Sequence, residues 1–535
     1  MNSALGQGIP VAVLVAGLLL AAVLVLSRTL ARRSGIPYPV FLVVAGAAVD
    51  FLPGMPSVRL SPDVVFYGFI PPLVYYAGLG TSPRELRANA LPIGLSAFGL
   101  VLATTFAVAG MTLGVAPDLG FTAAFILGSV VAPTDPVAAT STLNRLGAPP
   151  GITLILEGES LVNDGVSLTL FGLGLAALTS LTTPLDGVLD FLKVAGGGVA
   201  FGLVVGVAMT RLRRLLHDAS AEIVVSLVVP FIAYLPADAL GLSGILSALV
   251  AGLVSGRHRP VGIGPSGRIR INEFWRVLVF LLESVLFVLV GLQLRGLLSG
   301  LGGFSTGELA AVASITVVGV VVVRLLWWVA VPTLRWRPEG RLIDTGEVPL
   351  AERFVLGWGG LRGALSLAAA LSVPVVVAGR PFHQRNLLVF STFCVILFTL
   401  VGQGTTMPWV LRRLHLVGNE KESRERLVAR RRCTEAALHE LDELVARGAV
   451  SEALSRALRQ LYEQRLAQIV EDSDGEEEDA DATGAEYQRL EEVQHRLLQR
   501  QHAELDRLYR EKQISYAVLQ RVRRDLDLEQ ATLEP

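Results

Sequence analysis

The sequence predicts an all-α polytopic membrane protein of about thirteen transmembrane helices, arranged as two inverted repeats and followed by a helical cytoplasmic tail. Three observations carry that prediction. Of 535 residues, 52% are hydrophobic and only 17% charged, against roughly 25% charged in soluble domains; mean hydropathy is +0.55. Apolar stretches long enough to cross a bilayer recur from residue 9 to residue 411 and then stop. Acidic residues and helix breakers stand inside those stretches, where an ionised side chain costs several kcal/mol unless it is paired or faces water. The net charge of −1 sums an apolar front and a highly charged back, so it identifies no partner, and no nucleic acid is expected.

Spans of about 17 to 25 apolar residues follow in order. The first, 9–28, has no Lys or Arg before it and Arg28, Arg32 and Arg33 after it, the order of a retained span and not of a cleaved signal peptide. Next come 37–53, 62–80 and 91–115. The fifth, 119–143, contains Val131-Ala132-Pro133-Thr134-Asp135-Pro136, in which two prolines remove amide donors and disfavour helix at the residues before them. The sixth, 152–178, opens on Leu156-Glu157-Gly158-Glu159-Ser160-Leu161-Val162-Asn163-Asp164-Gly165. Then follow 186–210, 219–237, 240–256, 271–294 and 307–333. The twelfth, 350–378, carries Gly357-Trp358-Gly359-Gly360-Leu361-Arg362-Gly363, and 386–411 is the last.

Loop charges give the orientation, because cytoplasmic loops carry the Lys and Arg excess. Arg28/Arg32/Arg33, Arg84/Arg87, Arg145, Arg211/Arg213/Arg214, the segment 257–276 and the segment 335–353 fall on one side, while the opposite loops are far less basic. The N-terminus is therefore expected outside and the C-terminus in the cytoplasm. Thirteen spans suit two six-span halves of opposite topology joined by the seventh, a plan whose ion site uses broken helices at matching positions. The fifth and twelfth spans carry those breaks; simple kinks are the alternative.

The domain reading is 1–414 for the membrane part and 415–535 for the tail. Residues 423–470 and 485–530 read as helices, with Leu, Val and Ala at three-to-four spacing amid charges. The acidic run 471–481 between them is expected to be a solvated linker, with regulation through the basic cytoplasmic loops as the sharper hypothesis. Cys394 and Cys433 are too few and too scattered for a disulfide framework. His217, His258 and His415 read as surface residues, with pH sensing as the alternative.

Helical spacing sorts the polar residues of the sixth span into two stripes, Glu159 with Asn163 and Ser160 with Asp164. A carboxylate that binds a small hard cation and a proton in turn needs further oxygen ligands for the dehydrated cation. Asp164, Ser160 and freed carbonyls near Thr134 supply that chemistry, with Asp164 as the carrier. Asn163 is expected to hydrogen-bond Asp135 or a backbone group of the break. Glu159 needs a cation, and Arg362, able to hold a carboxylate bidentately, is the expected partner. Glu157 has a second reading as a first-turn acid at the membrane surface. Glu283 is expected to face a dimer or domain cavity, with a transport role as the second reading. Arg324, late in the eleventh span, is expected to snorkel to the cytoplasmic interface.

Thr134-Asp135-Pro136, Glu157-Gly158-Glu159-Ser160-Leu161-Val162-Asn163-Asp164-Gly165 and Gly359-Gly360-Leu361-Arg362-Gly363-Ala364 resemble the three signature segments of the electroneutral sodium/proton exchangers in the monovalent cation:proton antiporter family. The resemblance covers about residues 9 to 411. It implies a dimer whose protomers have a scaffold domain and a mobile core with two crossed broken helices. Asp164 would bind the cation or the proton, Thr134 and Ser160 would complete a Na⁺ site, Asn163 would mark the electroneutral branch, and Glu159 and Arg362 would form the core ion pair. One segment departs from the pattern: where many relatives carry an acidic residue after a Pro-Pro pair, this chain reads Pro71-Pro72-Leu73-Val74-Tyr75-Tyr76-Ala77-Gly78.

The expectation is a plasma-membrane antiporter, not an enzyme, exchanging Na⁺ for H⁺ with Li⁺ or K⁺ as alternatives and no cofactor. K⁺/H⁺ exchange and a cation channel or sensor are the rival readings. An aspartyl protease built on Asp135 and Asp164 would leave Arg362 and Asn163 without a role.

Overall fold

The computed structural model describes residues 8–34, 36–52, 63–81, 86, 90–135, 137–179, 184–213, 218–257, 265–330, 349–417, 420–451, 454–460 and scattered positions from 462 to 522. Nearly all of them are helical. The chain divides into two units, Met1–Gly418 and Asn419–Pro535.

In the first unit, α1 (Gly8–Ser34) and α2 (Tyr38–Asp50) lead into α3 (Ile70–Gly80), which is entered through a π-helical turn at Val64–Phe69. A second π turn, Leu95–Leu100, precedes α4 (Val101–Val115). Two half-helices, α5 (Phe121–Val131) and α6 (Val137–Arg145), replace one continuous span, and the long α7 (Pro150–Ala177) follows with Pro150 in its first turn. Proline is favourable there because its missing N–H would have no helical acceptor. Next come α8 (Pro184–Arg213), α9 (Ala219–Ala239), α10 (Gly244–Arg257), α11 (Pro265–Gly291), the short α12 (Leu294–Ser299) and α13 (Thr306–Ala330). The Asp218 carboxylate caps α9 by accepting from the Ala221 amide at 2.8 Å. Two more half-helices, α14 (Leu350–Trp358) and α15 (Ala364–Ser372), are followed by a two-residue antiparallel hairpin, β1 (Val376–Val377) with β2 (Arg380–Pro381). Finally α16 (Gln384–Phe398) continues through a π turn at Thr399–Gln403 into α17 (Gly404–Arg413).

Six helical segments among the described residues are long and apolar enough to cross a membrane, and shorter apolar helices lie between them. The chain is therefore a multi-pass membrane protein. α10 lies between α8 and α3, while α2 packs along α11. These contacts are close because small residues face backbone: Gly198 and Gly202 of α8 lie against Ser243 and Ser247, and Gly252 and Gly256 of α10 against Tyr75 and Leu79. In lipid, such faces hold helices together by van der Waals contact where hydrophobic association is weak. Around the breaks, α5 packs on α4 and α7, and α14 on α13, with α16 against both α5 and α15.

The second unit contains α18 (Glu420–Ala446). Within the helical stretch read over 423–470, α18 ends near Gly448, which adopts φ +68° while Ala449 donates back to the Leu444 carbonyl, a glycine-terminated helix end. Residues 454–460 resume helix, and Arg459 pairs with Asp442 across the turn. The acidic run 471–481 lies outside the described residues, as do His217, His258 and most of 485–530.

Candidate functional site: two broken helices and a carboxylate cavity

The chain leaves helix at Ala132 and re-enters it at Val137, and it does so again between Gly359 and Gly363. At these points the two breaks touch. The Asp135 amide donates to the Leu361 carbonyl at 2.8 Å, so each break satisfies a group the other exposes. Gly363 permits the contact: a Cβ there would overlap the Asp135 carboxylate. Leu361 and Arg362 are fully buried.

α7 crosses beside the first break and sends its two stripes to different surroundings. Glu159 and Asn163 are each about 1% exposed, in the protein interior. The Asn163 amide donates to the Thr134 hydroxyl at 2.9 Å, and that hydroxyl lies 3.4 Å from Glu159 Oε1, to which it donates. Asn163 thus binds a side chain of the break, not Asp135 or a backbone group. On the other stripe, the Ser160 hydroxyl donates to the Thr134 carbonyl at 2.5 Å. Two turns further on, the Ser167 hydroxyl donates to the Ser129 carbonyl, also at 2.5 Å, fastening α7 to α5.

Asp164, Ser160, Thr134 and Asp135 line a common cavity of about 580 Å³. Glu157, which is exposed, lines the same space. Tyr76 of α3 and Arg276 and Glu283 of α11 complete the lining. Tyr76 stacks on Trp275 with ring centroids 5.8 Å apart, which fixes its ring in the wall. A carboxylate surrounded by hydroxyl and carbonyl oxygens can hold a dehydrated monovalent cation, and can hold a proton in its place.

The ion pair of Glu159 differs from the expected one. Its partner is Arg324 of α13, whose Nη2 lies 3.1 Å from Glu159 Oε2 while Nη1 pairs with Oε1. Both residues are about 1% exposed, so Arg324 does not snorkel to an interface. Its Nε also donates to the Leu356 carbonyl of α14 at 3.2 Å. The path of the side chain is open because Gly360 has none; a Cβ there would overlap Arg324. Arg362 is engaged elsewhere: Nε donates to the Val131 carbonyl at 3.0 Å and Nη1 to the Gly360 carbonyl. A cation at the last carbonyls of α5 is favourable because they form the negative end of that half-helix. The Arg362 amide in turn donates to the Thr399 hydroxyl at 3.1 Å.

A further buried ion pair escaped sequence reasoning. Arg213 at the end of α8 pairs with Glu222 in the first turn of α9, both nearly inaccessible. The arginine looks like one more positive charge at a span end, and only the facing start of α9 identifies its partner.

The family model described as "Sodium/hydrogen exchanger, transmembrane" matches residues 4–413, a range that contains both breaks and the whole cavity. The chain belongs to the sodium/hydrogen exchanger family. That family is one of transporters, and its members act on cations and protons without being enzymes. Among curated proteins, an uncharacterised Na⁺/H⁺ exchanger of Mycobacterium tuberculosis is 32% identical over 96% of this chain and 95% of its own length. The Na⁺/H⁺ antiporter ApNhaP of Aphanothece halophytica is 32% identical over 76% of this chain and 75% of its own. The low-affinity Na⁺/H⁺ antiporter NhaS1 of Synechocystis is 33% identical over 78% and 77%. The fold is similar to that of the sodium proton antiporter MjNhaP1 of Methanocaldococcus jannaschii, with a TM-score of 0.56 at 18% identity over 75% of this chain and 99% of that one.

Proposed function

We propose that the protein is an electroneutral Na⁺/H⁺ antiporter of the plasma membrane that works by alternating access, with Asp164 binding Na⁺ and H⁺ in turn. The observation that carries this reading is the convergence of Asp164, Ser160, Thr134 and Asp135 on one cavity at the contact between two broken helices. Na⁺ bound at Asp164, with the hydroxyls of Ser160 and Thr134 as further ligands, leaves when a proton takes the carboxylate. One positive charge then crosses in each direction. The proton gradient runs inward, so Na⁺ is exported.

Alternating access needs two arrangements of one site, and the packing supports an inverted-repeat origin for them. The pairing of α4 with α5 is matched by that of α13 with α14, and the pairing of α6 with α7 by that of α15 with α16. In this reading thirteen spans form two halves joined by α8, with the N-terminus outside and the tail in the cytoplasm. The pairs Glu159–Arg324 and Asn163–Thr134 hold the core without placing a second free charge beside Asp164. The working unit in this reading is a homodimer.

The test is cation-driven proton movement in proteoliposomes carrying an internal pH dye, comparing wild type with Asp164→Asn on addition of Na⁺, Li⁺ or K⁺. Sodium-dependent pH change that Asp164→Asn abolishes supports the reading. A response to K⁺ alone would replace Na⁺ with K⁺ as the substrate, and electrical conductance without proton coupling would replace the antiporter with a channel.

A further inference from the structure

The cavity that holds Asp164 is also lined by an acid that the transport scheme does not use. Glu283 lies on α11 deep in an apolar segment and lines the same cavity as Asp164, Asp135 and Glu157. Its Oε2 accepts from the Tyr38 hydroxyl of α2 at 3.2 Å. Tyr38 is itself held: its ring lies 5.7 Å from that of Phe280, one turn before Glu283, and the Arg28 guanidinium of α1 sits 5.1 Å above the Phe280 ring. Among the described residues no Lys, Arg or His forms an ion pair with Glu283. Arg276, which lines the same cavity two turns earlier on α11, pairs with Glu273 instead.

A carboxylate at this depth is costly unless it is paired or faces water. Glu283 has one neutral donor and an open cavity. It shares the cavity with Asp164, Asp135 and Glu157, and a cation held among carboxylates relieves their mutual repulsion. The arrangement is oriented as well as placed, because Tyr38 fixes one oxygen and leaves the other to the cavity.

We propose that Glu283 is the second carboxylate of the transport passage, holding the incoming monovalent cation in the cavity it shares with Asp164 and Asp135 while Tyr38 sets its orientation. This rests on the antiport reading above. Asp164 exchanges cation for proton, whereas Glu283 concentrates the cation near it. Removal of its charge therefore weakens cation capture more than turnover. Because the attraction acts through a wet cavity, added inert salt screens it.

The experiment measures Na⁺-driven proton exchange in proteoliposomes for wild type, Glu283→Gln, Glu283→Asp and Tyr38→Phe, with KM and kcat for Na⁺ determined separately in low salt and in high choline chloride. For Glu283→Gln the expected result is a rise in KM of about tenfold that exceeds any fall in kcat severalfold and shrinks in high choline. Glu283→Asp recovers most of the affinity, and Tyr38→Phe, which keeps the ring and removes only the donor, raises KM by about twofold to fivefold. Loss confined to kcat, an effect indifferent to choline, or unchanged KM in Glu283→Gln overturns the assignment. If Glu283→Gln does not fold, an unchanged KM in Tyr38→Phe overturns it. Wild-type exchange abolished by Asp164→Asn but indifferent to both cavity variants rejects the Glu283 role alone, whereas absence of wild-type exchange rejects the antiport reading with it.

Discussion

Replacement of Arg324 by Met should strongly destabilise the protein. The guanidinium holds both oxygens of Glu159, and each side chain is only about 1% exposed. Without it, the carboxylate retains one hydroxyl donor, Thr134, at 3.4 Å. Breaking a buried pair by removing one partner costs about 3–5 kcal/mol, because the other charge stays behind unpaired. At roughly 2 °C per kcal/mol, a slope typical of larger domains, the midpoint of thermal unfolding should fall by about 6–10 °C. Removing the stranded charge as well should reverse much of this, so Glu159→Gln/Arg324→Met should regain at least about half of the lost stability. The same second change in an Arg362→Met background should bring no recovery, since Arg362 binds the carbonyls of Val131 and Gly360 and Glu159 keeps Arg324. The assay is detergent thermostability by tryptophan fluorescence or size-exclusion chromatography for the four single and double variants. Recovery in the Arg362 background and none in the Arg324 background would falsify the pairing.

Three other outcomes follow from the geometry. Gly363→Ala places a methyl group against the Asp135 carboxylate and should lower exchange by at least about tenfold through displacement of the site, measured as the initial rate in proteoliposomes against an unchanged elution profile. Ser160→Ala removes a hydroxyl from the cavity and the bond to the Thr134 carbonyl; its KM for Na⁺ should rise by about twofold to tenfold, the worth of one neutral hydrogen bond. Arg213→Met strands the buried Glu222 and should lower the unfolding midpoint by about 6–10 °C while the KM for Na⁺ in the surviving protein stays at the wild-type value, because the pair is outside the cavity.

The legibility of this chain in its sequence varied with the kind of question. The multi-pass helical character was readable because bilayer thickness demands long apolar runs, and the breaks because Pro133, Pro136 and the glycines around Leu361 disfavour helix. The two stripes of α7 followed from the four-residue spacing alone. Partnership was harder. Both Arg324 and Arg362 are basic residues inside spans, and the choice between them depends on how α13 crosses α14 and on the missing side chain of Gly360. Neither is a property of local sequence. For the same reason the Arg213–Glu222 pair was invisible, and Glu283 could be assigned a depth but not Tyr38 as its donor. In the tail, the three-to-four apolar spacing runs through Gly448 and does not mark the positive φ with which this glycine ends α18.

In the proposed exchange, cation and proton compete for one carboxylate, Asp164. The most direct test is the Na⁺ concentration giving half-maximal exchange, measured in proteoliposomes across pH at equal internal and external pH. Competition raises the apparent KM as pH falls, by about tenfold per unit once protons dominate the site, while the maximal rate at saturating Na⁺ is retained. An apparent KM independent of pH, with only the maximal rate changing, would contradict the one-site account.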